Sequence, residues 1–156
     1  MAGHIDTHVL IEAPLELTWR LANTQENDRR HASGGKGHEL VAEDPARHAR
    51  TLRIVTPPDA EGREWYYFVE RILDPERHTA YARRWGNPHF HYSVALWVYR
   101  EEPGGRSSIR SVQDFEMTDD APVDNDGMAE IILGGTQKAL QRTKEFVETE
   151  AAAAAA

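Results

Sequence analysis

Apolar and polar residues alternate in short runs over most of this chain, and turn residues separate each run from the next. Ile5 to Glu12 reads as a first strand through His8-Val9-Leu10-Ile11. Ala13-Pro14 then opens a helix, because proline suits a first helical turn, with Leu15, Trp19 and Ala22 as its apolar stripe. Asn23 to Lys36 is polar and holds no large apolar residue, which predicts a short helix or loop of low stability. Further strands follow. Gly37–Ala42 is weak, Ala49–Thr56 is stronger, and the Trp65 segment comes after the turn from Pro57 to Gly62. His78–Trp85, Phe90–Arg100 and Ser107–Met117 complete the series, separated by Asp74-Pro75-Glu76-Arg77, Gly86-Asn87-Pro88 and Pro103-Gly104-Gly105.

After a loop from Asp119 to Asn125 the period changes. Met128, Ile131, Ile132, Gly135, Ala139, Leu140, Thr143 and Val147 follow helical spacing, with Asn125 or Asp126 as the expected N-cap. Gly134-Gly135 inside this helix costs about 1 kcal/mol per glycine relative to alanine. Close approach to a ligand or to the sheet is one compensation, and a kink is another. Strands joined by short turns imply an antiparallel meander. A curved sheet half-wrapped around a long helix leaves a cavity between them, mainly apolar with a few placed polar groups. Residues 1–150 are expected to form one domain, with Ala151–Ala156 as a frayed extension outside the functional argument.

The segment Trp65-Tyr66-Tyr67-Phe68-Val69-Glu70-Arg71 bears most directly on function. Alternation places Trp65, Tyr67, Val69 and Arg71 on one face. A guanidinium in line with two rings is expensive to bury unless something polar meets it. It is either a fixed cation at one end of a lined cavity or a strand-end arginine whose head reaches solvent.

Charge and composition narrow the function classes. The chain has 156 residues, a formal net charge of −8 and no cysteine. Disulfides and thiolate chemistry are excluded, and the acidic balance argues against nucleic-acid binding. No run approaches membrane-spanning length and the first residues lack a secretory pattern, so a cytoplasmic location is expected. Arginines gather at Arg29-Arg30, Arg47 to Arg53 and Arg83-Arg84, where a local patch could receive an acidic partner.

His89-Phe90-His91 puts two imidazoles on one strand face, but no sequence signal supplies a third metal ligand, so no metal or other cofactor is expected. Glu70-Arg71, and Asp114 with Arg110, read as cross-strand ion pairs at the surface. The acidic residues from Asp119 to Asp126 lack the register of a calcium loop. No phosphate-binding glycine loop and no nucleophile elbow occurs, which favours chemistry or binding inside a pocket without a covalent nucleophile.

Several motifs in order resemble the aromatase/cyclases of bacterial aromatic (type II) polyketide synthesis, members of the START-like helix-grip superfamily. They are Ala13-Pro14-Leu15-Glu16-Leu17-Thr18-Trp19, Trp65-x-Tyr67-x-Val69-Glu70-Arg71, Asp74-Pro75, Phe90-x-Tyr92, Trp97-x-Tyr99, Pro103-Gly104-Gly105, Val112-Gln113-Asp114-Phe115 and Ala121-Pro122-Val123-Asp124. The resemblance spans residues 3 to 148. It implies an α+β helix-grip fold: a curved antiparallel sheet wrapped around a long C-terminal helix, with an internal cavity.

The resemblance also implies an activity, a cofactor-independent, regiospecific intramolecular aldol closure and dehydration of a poly-β-ketone. The substrate would be carried on the phosphopantetheine arm of an acyl carrier protein. Arg71 matches the family's pocket arginine and would stabilise an enolate or alkoxide. Trp65, Tyr67, Phe90, Tyr92 and Trp97 would wall the cavity, with Val69, Arg84 and Gln113 lining or approaching it. The family's second-helix aromatics and tyrosine are replaced here by Asn27 to Gly35, its usual serine by Val69, and a strand tryptophan by Tyr67. That implies a wider mouth near residues 24–37 and leaves Tyr67, His31, His91 or a water as the proton shuttle. The alternative function is a non-catalytic carrier or chaperone for a hydrophobic aromatic polyketide.

Overall fold

Seven strands form one antiparallel sheet in the computed structural model, which describes residues 2–24, 27, 38–56, 58 and 60–155. In chain order they are β1 (Gly3–Ile11), β2 (His38–Asp44), β3 (Ala49–Val55), β4 (Tyr66–Asp74), β5 (Thr79–Trp85), β6 (Phe90–Glu102) and β7 (Arg106–Met117). Helix α1 (Leu15–Ala22) follows β1, and helix α2 (Asn125–Ala155) follows β7. Spatial order is β1-β7-β6-β5-β4-β3-β2, so β2 to β7 form the expected meander and β1 closes against the last strand. The weak Gly37–Ala42 run is a true strand. It pairs along β3 with a bulge between Leu40 and Ala42.

Helix α1 starts after Pro14, whose carbonyl accepts from the Thr18 amide at 3.1 Å. Its inward face carries the expected Leu15, Trp19 and Ala22, with Thr18 added and buried more deeply than Leu15 and Trp19. A hydroxyl can take the deepest place because it is satisfied there. Ser107 Oγ donates to the Ala13 carbonyl at 2.8 Å, leaving Thr18 Oγ1 to donate to Ser107 Oγ at 2.7 Å. This buried chain pins α1 to β7.

The N-cap of α2 is neither Asn125 nor Asp126. Asp124 Oδ1 accepts from the Gly127 amide at 2.8 Å, and the Asp124 carbonyl accepts from the Met128 amide at 2.9 Å. Asn125 instead accepts from the Met117 amide at 2.8 Å, tying the helix start to the end of β7. At the other end the alanines extend the helix through Ala155, and Ala151 packs on the core. Alanine is the strongest helix former, which accounts for the continuation.

The core gathers where α2 crosses α1 and the β1–β7–β6 side of the sheet. Ile11, Ala13, Ala22, Tyr99, Ile109, Leu140 and Val147 are buried there. Gly3 has a positional cause: a Cβ on it would stand 2.2 Å from Cζ of the fully buried Phe115 ring. Only a residue without a side chain lets β1 lie across that ring. No helix among the described residues is long and apolar enough to cross a membrane.

Two surface pairings differ from expectation. Arg110 bonds to both carboxylate oxygens of Asp6 across β1 and β7, and Asp114 pairs with His4 at 2.6 Å. Glu70 takes Arg83 at 3.1 Å and Arg47 at 3.5 Å, leaving Arg71 to turn inward. The register explains the first case, because Asp6 sits opposite Val112, between Arg110 and Asp114 of β7.

Candidate active site

The apolar face of α2 changes partners along its length. Leu140, Thr143, Phe146 and Val147 are buried, and Met128, Ile132, Gly135, Thr136 and Ala139 face a cavity whose inner end Leu140 and Thr143 also line. Ile131 also borders it and is 58% exposed, so the cavity opens toward the start of the helix. The cavity has a volume of about 580 Å³, within the range of small-molecule sites. Its opposite wall is the inner face of β3 to β7.

A Cβ at either Gly134 or Gly135 would meet nothing within 4 Å. The glycines therefore do not serve close packing on the sheet, and Gly135 leaves room in the cavity.

Arg71 lies in this cavity. Its Nη2 donates to Asn23 Oδ1 at 2.8 Å and to the Tyr99 hydroxyl at 2.9 Å. The guanidinium stacks over Trp97, 4.4 Å from the ring centroid. Its Nε–H is enclosed and has no acceptor among the described residues. The snorkelling alternative is thereby overturned, because the head is held inward by three groups.

Asn23 is the organising residue. It ends α1, its Nδ2 donates back to the Trp19 carbonyl at 2.7 Å, and its own carbonyl accepts from Arg50 at 2.9 Å. Arg50 stands directly across β3 from Arg71, so one asparagine collects two neighbouring cations at a helix C-terminus, where carbonyls point. Tyr99 is 4% exposed, lines the cavity, and meets the Trp19 ring edge-on at 4.9 Å.

A second polar group lies further along the cavity. Val69, Arg84, Ser93 and Phe115 are successive cross-strand neighbours on β4 to β7. Arg84 Nη1 donates to Gln113 Oε1 at 3.1 Å, and Gln113 Nε2 donates to Thr136 on α2 at 2.9 Å. Burial, with the Arg71 charge adding to it, pushes Arg84 below the ordinary guanidinium range, while Tyr67 acts in the opposite direction. Among the described residues that line the cavity there is no aspartate or glutamate, in a chain of net charge −8. The cavity is thus selectively cationic and suits carbonyl oxygens that gain negative charge.

Of the residues expected to form the site, Tyr67, Val69, Arg71, Arg84, Phe90, Tyr92, Trp97 and Gln113 all line the cavity. Trp65 does not. It precedes β4, pairs through its backbone with Thr56, and sets its ring edge-on to His89 at 5.5 Å. Trp85 stands in the lining instead, stacked on Phe68.

A bulge between Phe90 and Tyr92 shifts the phase of β6. Phe90 therefore shares the inner face with Ser93, Ala95, Trp97 and Tyr99, and Tyr92 is left 40% exposed at the rim. No cluster of three metal-ligating side chains occurs among the described residues. His31 and most of the stretch expected to form a wider mouth lie outside the described residues. Asn27, within that stretch, is buried and bonds the Ala22 carbonyl at 2.9 Å and Thr143 at 3.3 Å.

No family model matches the chain. A Streptomyces cyaneus protein that carries the name polyketide cyclase is 35% identical over 132 residues, which are 85% of this chain and 85% of that protein. A Streptomyces halstedii protein of the same name is 34% identical over 105 residues, 67% of this chain and 94% of the relative. Among solved structures, the Zhui aromatase/cyclase from Streptomyces sp. R1128 superposes with a TM-score of 0.75 at 16% identity, covering 95% of this chain and 94% of its own. A START superfamily protein from Mycobacterium smegmatis gives 0.70 at 15% identity, covering 94% and 97%. Identities this low speak for the fold alone, which is the START-like helix-grip fold. The sequence relatives carry the rest: the chain belongs to the polyketide cyclase family and is an enzyme of that kind.

Proposed function

We propose that the chain closes a ring in a poly-β-ketone by a regiospecific intramolecular aldol reaction and then removes water to give an aromatic product. The substrate is a chain linked through phosphopantetheine to an acyl carrier protein, and the reaction takes place in the cytoplasm. One observation carries this reading: the Arg71 guanidinium is fixed by Asn23, Tyr99 and Trp97 inside a cavity whose described lining holds no carboxylate. A preorganised cation in a poorly solvated site stabilises an enolate or alkoxide without reorganising during the reaction.

The second group, Arg84 with Gln113 and Tyr67, holds another carbonyl of the same chain. Two fixed polar points, with Trp97, Phe90 and the α2 side chains between them, restrict how a flexible polyketone can fold. The reacting methylene and ketone are thereby brought together, which is where much of the rate arises. Val69 contributes shape only. Tyr92 at the rim contacts the tether side of the substrate.

The test is a minimal polyketide synthase reaction with purified protein added. A shift of the product distribution toward one ring-closed aromatic compound is expected. A distribution identical to the reaction without the protein overturns the catalytic reading and favours the carrier function. Arg71→Ala should lower the cyclised yield about 10²–10³-fold, the usual cost of losing an oxyanion donor.

A further inference from the structure

The family's usual tyrosine is absent, and Arg71 alone cannot move a proton, since a guanidinium stays charged. The cavity does hold a hydroxyl in contact with it. Tyr99 places its oxygen 2.9 Å from Arg71 Nη2 and 3.4 Å from Asn23 Oδ1, and it lines the same cavity. Tyr67, the other inward tyrosine of the core strands, sits toward Arg84. We propose that Tyr99 is the catalytic acid/base of the aldol step, working as a pair with Arg71; this rests on the cyclase reading above.

The chemistry balances without an external reagent. Tyr99, after giving its hydroxyl proton to water beside the Arg71 guanidinium, takes a proton from a methylene between two ketones. The electrons of the broken C–H bond become the enolate, whose carbon attacks the acceptor ketone. The carbonyl π pair moves onto that ketone's oxygen, held by Arg71 donors that Asn23 and Tyr99 do not use. Tyr99 then returns its proton to this alkoxide. A C–C bond has formed, and Tyr99 is again the phenolate that took the first proton. Arg71 faces each oxygen at the moment it carries charge, which is the arrangement that lowers both barriers.

Among the described residues, the Tyr99 hydroxyl bonds to Arg71 from β4 and to Asn23 from the end of α1, and its register neighbour on β7 is the apolar Ile109. Arg50, bonded to the Asn23 carbonyl, and His78, 5.4 Å from the Trp19 ring, are the next titratable groups and are left unaltered by the test.

Tyr99→Phe keeps the ring against Trp19 and removes only the hydroxyl. In the reconstituted reaction kcat should fall at least 100-fold with KM and the binding of finished aromatic product within threefold of wild type. Asn23→Ala also frees one anchor of Arg71 but keeps the phenol, and should lose less than tenfold. Equal losses in the two variants would reduce Tyr99 to a support for Arg71 and overturn the proposal. Should the Phe variant not fold, 3-fluorotyrosine at position 99 preserves every contact with a more acidic hydroxyl. The pH profile of kcat must then move to lower pH, and an unmoved profile overturns the proposal. An active wild type with an active Tyr99→Phe refutes Tyr99 alone; an inactive wild type refutes the cyclase reading itself.

Discussion

The bond between Arg71 and Asn23 can be isolated by a double-mutant cycle, because each partner keeps a second anchor when the other is removed. In Arg71→Met, the Asn23 oxygen still has the Tyr99 hydroxyl at 3.4 Å; in Asn23→Ala, the guanidinium still has Tyr99 at 2.9 Å and Trp97 beneath it. Neither single change strands a buried group. Asn23→Ala also loses the Nδ2 bond to the Trp19 carbonyl, but that loss occurs in the double variant too and cancels.

What remains is one charge-assisted hydrogen bond of 2.8 Å between half-buried partners. Such bonds contribute about 1.5–3 kcal/mol, and partial exposure puts this one near the lower value. Urea unfolding of the four proteins at 25 °C should therefore give a coupling of about 1.5 kcal/mol. Arg50 does not enter, since its acceptor is the Asn23 backbone carbonyl, which no substitution removes. A coupling below about 0.5 kcal/mol, the range of simple additivity, would refute the claim that Asn23 positions the cation.

Gly3→Ala forces a Cβ to 2.2 Å from the Phe115 ring, so it should destabilise by about 1–3 kcal/mol and lower the melting temperature. Gly134→Ala and Gly135→Ala meet open space and should each raise stability by up to about 1 kcal/mol in urea unfolding. Gly135→Leu, which enters the cavity, should weaken binding of aromatic products in a fluorescence titration. Asp6, held below its ordinary value of 3.8 by the Arg110 hydrogen bond, and Asp74, held below by the Arg77 backbone amide, are depressed in the folded state. Their stabilisation is complete above the unfolded pKa of about 4 and is lost as pH falls through the lower folded values. The urea midpoint should drop below about pH 4, and Arg110→Gln should flatten the Asp6 contribution to that drop.

The meander and the long helix are legible in the sequence because period and turn chemistry are local properties. That Tyr67, Val69 and Arg71 share a face follows from alternation, but that the face turns inward does not. Trp65 breaks that rule because strand pairing begins one residue later, and a face defined by counting holds only where the ladder exists. Counting also puts Phe90 and Tyr92 on one face, and the bulge between them splits the pair. The Asp124 cap is hidden among neighbouring Asx residues that compete for one role, and tertiary bonding to Met117 decides between them. Asn23 carries no signal, and Tyr99 enters only through the Trp97-x-Tyr99 motif, which says nothing of its contact with Arg71. Their meeting with Arg71 joins residues 48 and 28 positions apart, and no spacing rule reaches that far. The family resemblance supplies Arg71's place in a pocket and the presence of Trp97 and Tyr99, while the bond to Asn23 emerges only from the folded contacts.

The anchoring of Arg71 has a mechanical side. The arginine grows from β4, but one of its anchors belongs to the last turn of α1, whose own attachment is the Thr18–Ser107–Ala13 hydroxyl chain on β7. The seating of that helix therefore bears on how firmly the cation is held. Lifting the end of α1 would widen the cavity and, in the same motion, release the guanidinium from Asn23. Access to the cavity and the anchoring of its cation thus share one helix end.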